Sequence, residues 1–147
     1  TCRDSRKSWS GDLVFLGTNL MAWKSKRQYI VTLSTFESET VAGCLLTRMI
    51  LAKRHVLKEI FSKLKASTLK GDNKPCIDAI YSNNYTSQRS KHIDIKCKFM
   101  GQHVESGDCV YLHVRTEDNL ADMLTKSQRT SVFVSMIDRL VRVLPSS

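Results

Sequence analysis

Thr116-Glu-Asp-Asn-Leu-Ala-Asp-Met-Leu-Thr-Lys126 carries both strand-end and helix-start signals within one short segment. It follows an alternating run, Val110-Tyr-Leu-His-Val114, which has the period of a half-buried strand. Thr116 is a good N-cap, and the acidic residues after it suit the first turn of a helix. Asp122 is therefore expected near the start of a helix just past a strand end, where α/β proteins hold their chemistry. A structural role competes with this one. Asp122 can complement the helix dipole and pair with Lys126 four residues on.

Outward from this stretch, the alternation of helical and strand periods continues. Downstream, Phe133, Met136, Ile137, Leu140, Val141 and Leu144 predict a last helix from about Ser131 to Leu144, within a C-terminal segment 127–147. Upstream, Ser106-Gly-Asp108 makes a turn, and Ile93, Cys97, Met100 and Val104 mark one face of a helix over Lys91 to Glu105. Tyr81 to Arg89 reads as a polar loop. Asn73 with Pro75 signals a helix start that runs through Ile77 and Ile80. Ser67-Thr-Leu-Lys70 reads as a strand, poorer in apolar residues than a central parallel strand. Ser34 or Thr35 caps a long helix whose apolar rhythm extends to Leu64, with a break expected near Lys53-Arg54-His55. Three short strands come first, Leu13–Leu16, Leu20–Trp23 and Tyr29–Leu33, as an antiparallel meander. Basic Lys24-Ser-Lys-Arg27 is placed in the turn between the last two. The resulting order is β-β-β-α-β-α-α-β-α, an α/β chain.

At 147 residues, with 41% hydrophobic content, the chain suits a single domain over 1–147 with one core. No apolar run is long enough to cross a bilayer, and the opening Thr-Cys-Arg-Asp is no secretory signal, so a soluble intracellular location, cytoplasmic or nuclear, is expected. Cys2, Cys44, Cys76, Cys97 and Cys109 are odd in number and widely spaced, which argues against a disulfide framework. Cys97, His103, Cys109 and His113 can be drawn as a zinc set, but their spacing matches no familiar site. Small buried hydrophobes are the expected role for most of these cysteines. Of the net charge of +9, residues 22–70 carry +7, from ten Lys and Arg against three Glu. A basic middle segment suits a polyanionic partner, and ordinary solubility is the competing reason for it.

Four further segments stand upstream in a fixed order: Asp4-Ser-Arg-Lys-Ser-Trp-Ser-Gly11, Leu33-Ser-Thr-Phe-Glu-Ser-Glu39, Gly71-Asp-Asn73 and Ser90-Lys-His-Ile-Asp-Ile95. With Leu120-Ala-Asp-Met-Leu-Thr-Lys126, this set resembles the ribonuclease H domain that ends the Pol polyproteins of copia-type LTR retrotransposons. That family shows a DxRKSTSG-like entry, an STEAE segment, CDN, KHIDI and LADxLTK. The resemblance runs from about Arg3 to Lys126 and more loosely to the end.

It implies a ribonuclease H-like fold, a mixed sheet flanked by helices, which hydrolyses the RNA of RNA–DNA hybrids with two Mg²⁺ ions, Mn²⁺ substituting. Mg²⁺ prefers hard oxygen ligands, so such a site is built from carboxylates. The resemblance carries three over: Glu39 from the second Glu of STEAE, Asp72 from CDN and Asp122 from LADxLTK. Glu37 matches the first Glu and is read as a residue of the helix start, with Phe36 shifting the register. Nucleic-acid contacts are expected from Lys24, Lys26, Arg27, Arg89, Lys91 and His92, each also readable as an ordinary exposed group. His113 is the nearest candidate for a proton-transferring His, with no counterpart in the family segment. The reverse transcriptase region of the same polyprotein is the expected protein partner, and no membrane is.

A fourth ligand, an Asp on the first and central strand, would precede Thr1. The chain is thus expected to start inside the domain, to lack that strand and to be inactive or nearly so. Asp4 is a poor substitute, and Asp12 stands inside a strand where no metal role is expected. Trp9, Thr40 and Gly71 depart from the family's Thr, Tyr and Cys, and Thr125-Lys-Ser-Gln-Arg129 replaces a Pro-rich end, which reads as relaxed constraint. Two functional readings follow, a metal-dependent nuclease and a non-catalytic remnant that at most binds nucleic acid.

Overall fold

Ser34 begins the longest element of the computed structural model, which describes residues 8–29, 34–82 and 91–143. In chain order the elements are β1 (Trp9–Leu16), β2 (Asn19–Arg27), α1 (Thr35–Ile60), β3 (Ser67–Gly71), α2 (Lys74–Ser82), α3 (Lys91–Glu105), β4 (Cys109–His113) and α4 (Thr130–Val143). Two 3-10 turns, Thr116–Asp118 and Leu120–Leu124, lie between β4 and α4. This is a mixed α/β chain in the expected order. Of the third expected strand only Tyr29, a bend, is described; residues 30–33 lie outside the described residues, as do Asp4 and most of the loop before Lys91. The described strands form two separate pairs, β1 with β2 and β3 with β4, where one mixed sheet was expected.

The chain divides into two units, Leu33–Arg115 and Thr1–Thr32 with Thr116–Ser147. In the first of these, Ser34 is extended (φ −146°, ψ 160°), and its Oγ accepts from the Glu37 N–H at 3.2 Å, as an N-cap does. α1 then runs without the expected break. Arg54, in the middle of the basic run, is buried, and its guanidinium donates to Lys65 O (2.7 Å), Ser67 Oγ (3.1 Å) and Asp108 Oδ1 (3.4 Å). A charge with that many partners is tolerated inside the packed face, so nothing forces the helix open there. α1 stops short of Leu64, at Phe61, whose N–H reaches Leu57 O at 2.8 Å.

β3 and β4 are parallel, in register from Ser67↔Cys109 to Gly71↔His113. β3 buries Leu69 alone, in keeping with its polar sequence. The outer edge of β4 is covered by a side chain: the Tyr81 hydroxyl donates to Tyr111 O (3.1 Å) and accepts from Tyr111 N–H (3.0 Å). Around the pair, Cys44, Leu69, Cys76, Ile80, Met100, Cys109 and Tyr111 form one core cluster. A second joins Val41, Ala79, Ile93 and Cys97. Phe36 packs against both. All four described cysteines are buried thiols outside any disulfide, as small hydrophobes. Burial pushes the thiols of Cys44 and Cys109 up, keeping them protonated and inert.

In the other unit, β1 and β2 are antiparallel from Trp9↔Arg27 to Leu16↔Asn19, with a bulge between Val14 and Phe15. Gly17, at φ +62°, opens the two-residue connection, a conformation that glycine adopts without steric cost. Both strands extend well beyond the apolar runs Leu13–Leu16 and Leu20–Trp23. Lys24 to Arg27 are therefore strand residues rather than a turn, because each pairs with the early part of β1. Backbone pairing, and not apolar alternation, sets the strand length here.

The helix expected from Thr116 is replaced by the 3-10 turns. Asn119 N–H bonds to Thr116 O (3.2 Å), Asp122 N–H to Asn119 O (3.1 Å) and Thr125 N–H to Asp122 O (3.1 Å), each reaching back three residues rather than four. These turns lie on the β1–β2 hairpin, where Ser25 Oγ donates to Leu124 O at 2.6 Å. α4 is tied to them by Arg139, which donates to Glu117 O (2.6 Å) and Asp118 Oδ1 (2.8 Å), and it buries Met136.

Candidate functional site

Asp72 immediately follows β3, at the carboxyl end of the parallel pair, where strand ends open toward ligands in α/β folds. It is half-buried. Local chemistry places it there. Asn73 Oδ1 accepts from the Cys76 N–H at 3.0 Å and so caps α2, while Pro75 occupies the first turn. The chain must leave the strand at Asp72 to make that cap. On the neighbouring strand, His113 is the parallel partner of Gly71, and its Nε2 lies 3.2 Å from Asp72 O. A carbonyl only accepts, so Nε2 carries the proton and donates, and in the neutral ring Nδ1 is left as an acceptor. The sequence singled out His113 without a family counterpart. The parallel register is what brings it to Asp72.

Glu39 is half-buried near the start of α1, between buried Ser38 and Thr40. Thr40 Oγ1 donates to Phe36 O at 2.8 Å, which fixes this turn of the helix. Glu37 is at the third helical position, facing the Ser34 cap, as expected of a helix-start residue. Glu39 and Asp72 belong to the Leu33–Arg115 unit.

Asp122 belongs to the other unit, inside the second 3-10 turn. Its Oδ2 lies 2.7 Å from Lys126 Nζ, and Thr125 Oγ1 donates to its Oδ1 at 3.3 Å. The pairing weighed against a metal role is thus formed. Its backbone oxygen takes donors from Thr125 and Gln128 as well. The donor chemistry of Glu39, Asp72 and Asp122, three carboxylates, is the kind Mg²⁺ takes. Among the described residues, however, no group of three or more His, Cys, Asp or Glu side chains is gathered so as to hold a metal ion. The cysteine–histidine set is dispersed too: Cys97 and Cys109 lie in different core clusters, and His103 Nδ1 is 3.3 Å from Asp108 Oδ2.

Lys24, Lys26 and Arg27 are exposed on β2, and Lys26 Nζ sits 4.5 Å from the centre of the Tyr29 ring. Lys91 and His92 are exposed in the first turn of α3. Arg89 lies outside the described residues. Asp12, set aside in the sequence, is buried on β1 opposite Lys24. Burial raises its carboxyl above the usual carboxylate range, and the Lys24 charge partly opposes this. No helix among the described residues is long and apolar enough to cross a membrane.

The chain is similar to the Retrovirus-related Pol polyprotein from transposon TNT 1-94 of Nicotiana tabacum, 32% identical over 123 residues, 84% of this chain and 9% of that protein. Its relatives are retrotransposon Pol polyproteins. A second, the Retrovirus-related Pol polyprotein from transposon RE1 of Arabidopsis thaliana, is 31% identical over 149 residues, 98% of this chain and 10% of that protein. The Transposon Ty1-H Gag-Pol polyprotein of Saccharomyces cerevisiae is 26% identical over 120 residues, 82% of this chain and 7% of that protein. The chain spans about a tenth of the length of the plant Pol polyproteins it matches. No family model and no solved structure matches it.

Proposed function

We propose that this chain is the ribonuclease H portion of a copia-type retrotransposon Pol polyprotein, a domain that in its intact form acts on the RNA of RNA–DNA hybrids. Two features of the same sequence carry this reading together. Five ordered motifs run through a chain of which 98% aligns with a Pol polyprotein. In this reading Glu39, Asp72 and Asp122 would hold Mg²⁺, or Mn²⁺ in its place, and the bound metal would supply activation of the attacking water and charge stabilisation at the leaving oxygen. The chain's own part is to orient these carboxylates. Glu39 follows the Ser34 cap of α1, Asp72 precedes the Asn73 cap of α2, and Thr125 Oγ1 donates to the Asp122 carboxylate. Lys24, Lys26, Arg27, Arg89, Lys91 and His92 contact the phosphate backbone, and the reverse transcriptase region of the same polyprotein is the protein partner.

The Asp122–Lys126 ion pair favours a second reading, in which the chain binds nucleic acid without cutting it. Lys126 Nζ, 2.7 Å from Asp122 Oδ2, competes with a metal for that oxygen. Cleavage of a labelled RNA–DNA hybrid in Mg²⁺ or Mn²⁺ separates the two. Metal-dependent cutting that disappears in Asp72→Asn and Asp122→Asn supports the nuclease. A folded sample that binds the hybrid and leaves it intact supports the second reading.

A further inference from the structure

Two helices of the Leu33–Arg115 unit, α1 and α3, pack on each other through stretches that hold no acid. From Thr40 to Lys58 α1 has no Asp or Glu, and from Ile95 to Val104 α3 has none. The helices meet at Gly43, where an added Cβ would stand 3.4 Å from Met100 Sδ. Basic residues line the seam between them. On α1, Arg48 and His55 share the stripe of Cys44, four and eleven residues on. On α3, His92, Lys96 and His103 recur in the same way, and Lys96 Nζ donates back to His92 O at 3.1 Å. Groups that both helices approach tie the stripes together. Burial raises the Cys44 thiol, and the charges of Lys96 and Arg48 partly oppose this, so both stand near it. Further along, Lys58 and His103 approach one Asp108 carboxylate, at 3.7 and 3.3 Å.

The charges on this seam lack counter-ions. Arg48, His55, Lys58 and His92 are exposed and Lys96 is half-buried. Among the described residues neither Arg48 nor Lys96 is in an ion pair. Asp108 is already shared by buried Arg54, Lys58 and His103. The acids of α1, Glu37, Glu39 and Glu59, stand beyond the ends of its acid-free stretch, as Asp94 and Glu105 do on α3. Cations gathered with no acid between them repel, and a ligand of opposite charge removes that cost. Arg48 and Lys58 are ten residues apart, about 15 Å along the helix, so the row suits a chain of anions rather than a single one. The aromatic ring on this seam, Phe99, is half-buried beside His103. The seam therefore offers charge and no stacking platform. That matches a double helix, which keeps its bases inside and presents its phosphates.

We propose that the α1–α3 seam binds the phosphate backbone of a nucleic-acid duplex, with Arg48 and Lys96 at its centre. The choice of nucleic acid as the polyanion rests on the Pol polyprotein reading. The row continues the contact already read at His92, and it uses none of Glu39, Asp72 and Asp122.

The test uses the 147-residue chain in EDTA with a labelled RNA–DNA hybrid, its binding followed by anisotropy at several salt concentrations. Arg48→Ala and Lys96→Ala are each expected to make the slope of log affinity against log salt shallower by about one, and together by about two. Lys98→Ala removes the same charge about 200° around α3 from Lys96, and is expected to leave the slope unchanged. Arg48→Lys keeps the charge and is expected to keep the slope, which separates a lost contact from a misfolded variant. The proposal is overturned if Arg48→Ala and Lys96→Ala keep the wild-type slope, or if Lys98→Ala lowers it equally. It is also overturned if polyglutamate displaces the hybrid as well as unlabelled hybrid does. Cleavage in Mg²⁺ by a chain whose binding ignores Arg48 and Lys96 overturns this proposal alone and leaves the ribonuclease reading standing.

Discussion

A Cβ placed on Gly11 would stand 2.6 Å from the carbonyl oxygen of Ala121. The same atom would meet Leu124 Cβ at 2.8 Å and Thr125 Cγ2 at 2.9 Å. Gly11 is where the turn that carries Asp122 lies down on β1, and the contact leaves no room for a side chain.

Gly11→Ala is therefore expected to lift the Leu120–Leu124 turn or strain it, at a cost of about 1–3 kcal/mol. Urea unfolding measures the loss. Trp9 and Trp23 fluorescence should shift with it, because both rings share the face on which the turn rests. An unchanged urea midpoint would mean the turn does not rest on β1.

Arg54 and Asp108 form a second tight relationship, 3.4 Å apart, with Lys58 at 3.7 Å and His103 at 3.3 Å from the same carboxylate. Arg54→Met keeps the aliphatic stem but removes the donor to the Lys65 carbonyl and leaves Asp108 to Lys58, His103 and Ser106, and should cost about 2 kcal/mol by urea unfolding.

The acid response of Asp108 follows from its neighbours. Desolvation alone would raise its carboxyl. Hydrogen bonds from His103 and Ser106, with the charges of Lys58 and Arg54, outweigh that and hold it below its ordinary value. A depressed value in the folded state stabilises the protein fully above the unfolded value, about 3.9, and is lost as pH falls through the folded one. Asp108→Asn should flatten the acid limb of a stability-against-pH curve below about pH 4. A limb identical to wild type would remove Asp108 as its source.

Asp12 works in the opposite direction. Its value is raised by burial, so its favourable contribution exists below the unfolded value and is lost as pH rises through the folded one. At pH 7 Asp12→Asn should stabilise the chain, by at most about 2 kcal/mol. The gain should vanish in acid, and thermal melts at both pH values check the sign.

Thr47 and Tyr111 join α1 to β4 by a short hydroxyl–hydroxyl hydrogen bond. Thr47 gives its one proton to Gly43 O at 2.6 Å, so Tyr111 must donate to Thr47. Removing the acceptor, in Thr47→Val, strands a buried phenol proton and should cost about 1–3 kcal/mol. Tyr111→Phe removes the donor and leaves Thr47 bonded to Gly43, and should cost less, about 1 kcal/mol. A larger loss in Tyr111→Phe than in Thr47→Val would reverse the assignment of the donor.

Much of the Leu33–Arg115 unit was legible because its signals are local. The Ser34 cap, the Asn73–Pro75 start, the apolar faces of α1 and α3 and the alternation of β4 each act within a few residues, and each element formed. The sequence also placed Asp72 at a strand end, and the cysteines as buried hydrophobes, from the same short-range patterns.

Other features depend on residues far apart in the chain. β1 and β2 reach Trp9 and Arg27 because those ends pair with each other, which no single strand's composition encodes. The capping signal at Thr116 was real but lost to packing: a hairpin with no side chain at Gly11 and a hydroxyl at Ser25 receives a tight 3-10 turn there. Arg54 looked like a helix breaker until Asp108, Ser67 and the Lys65 carbonyl surrounded it. His113 gained a place beside Asp72 through parallel register alone. Helix starts and apolar faces are encoded locally, since caps and periodicity act over a turn or two. Strand ends, the conformation of the Asp122 segment and the partners of buried charges were decided by tertiary structure, because hydrogen bonds and close contacts between distant residues outweigh local preference.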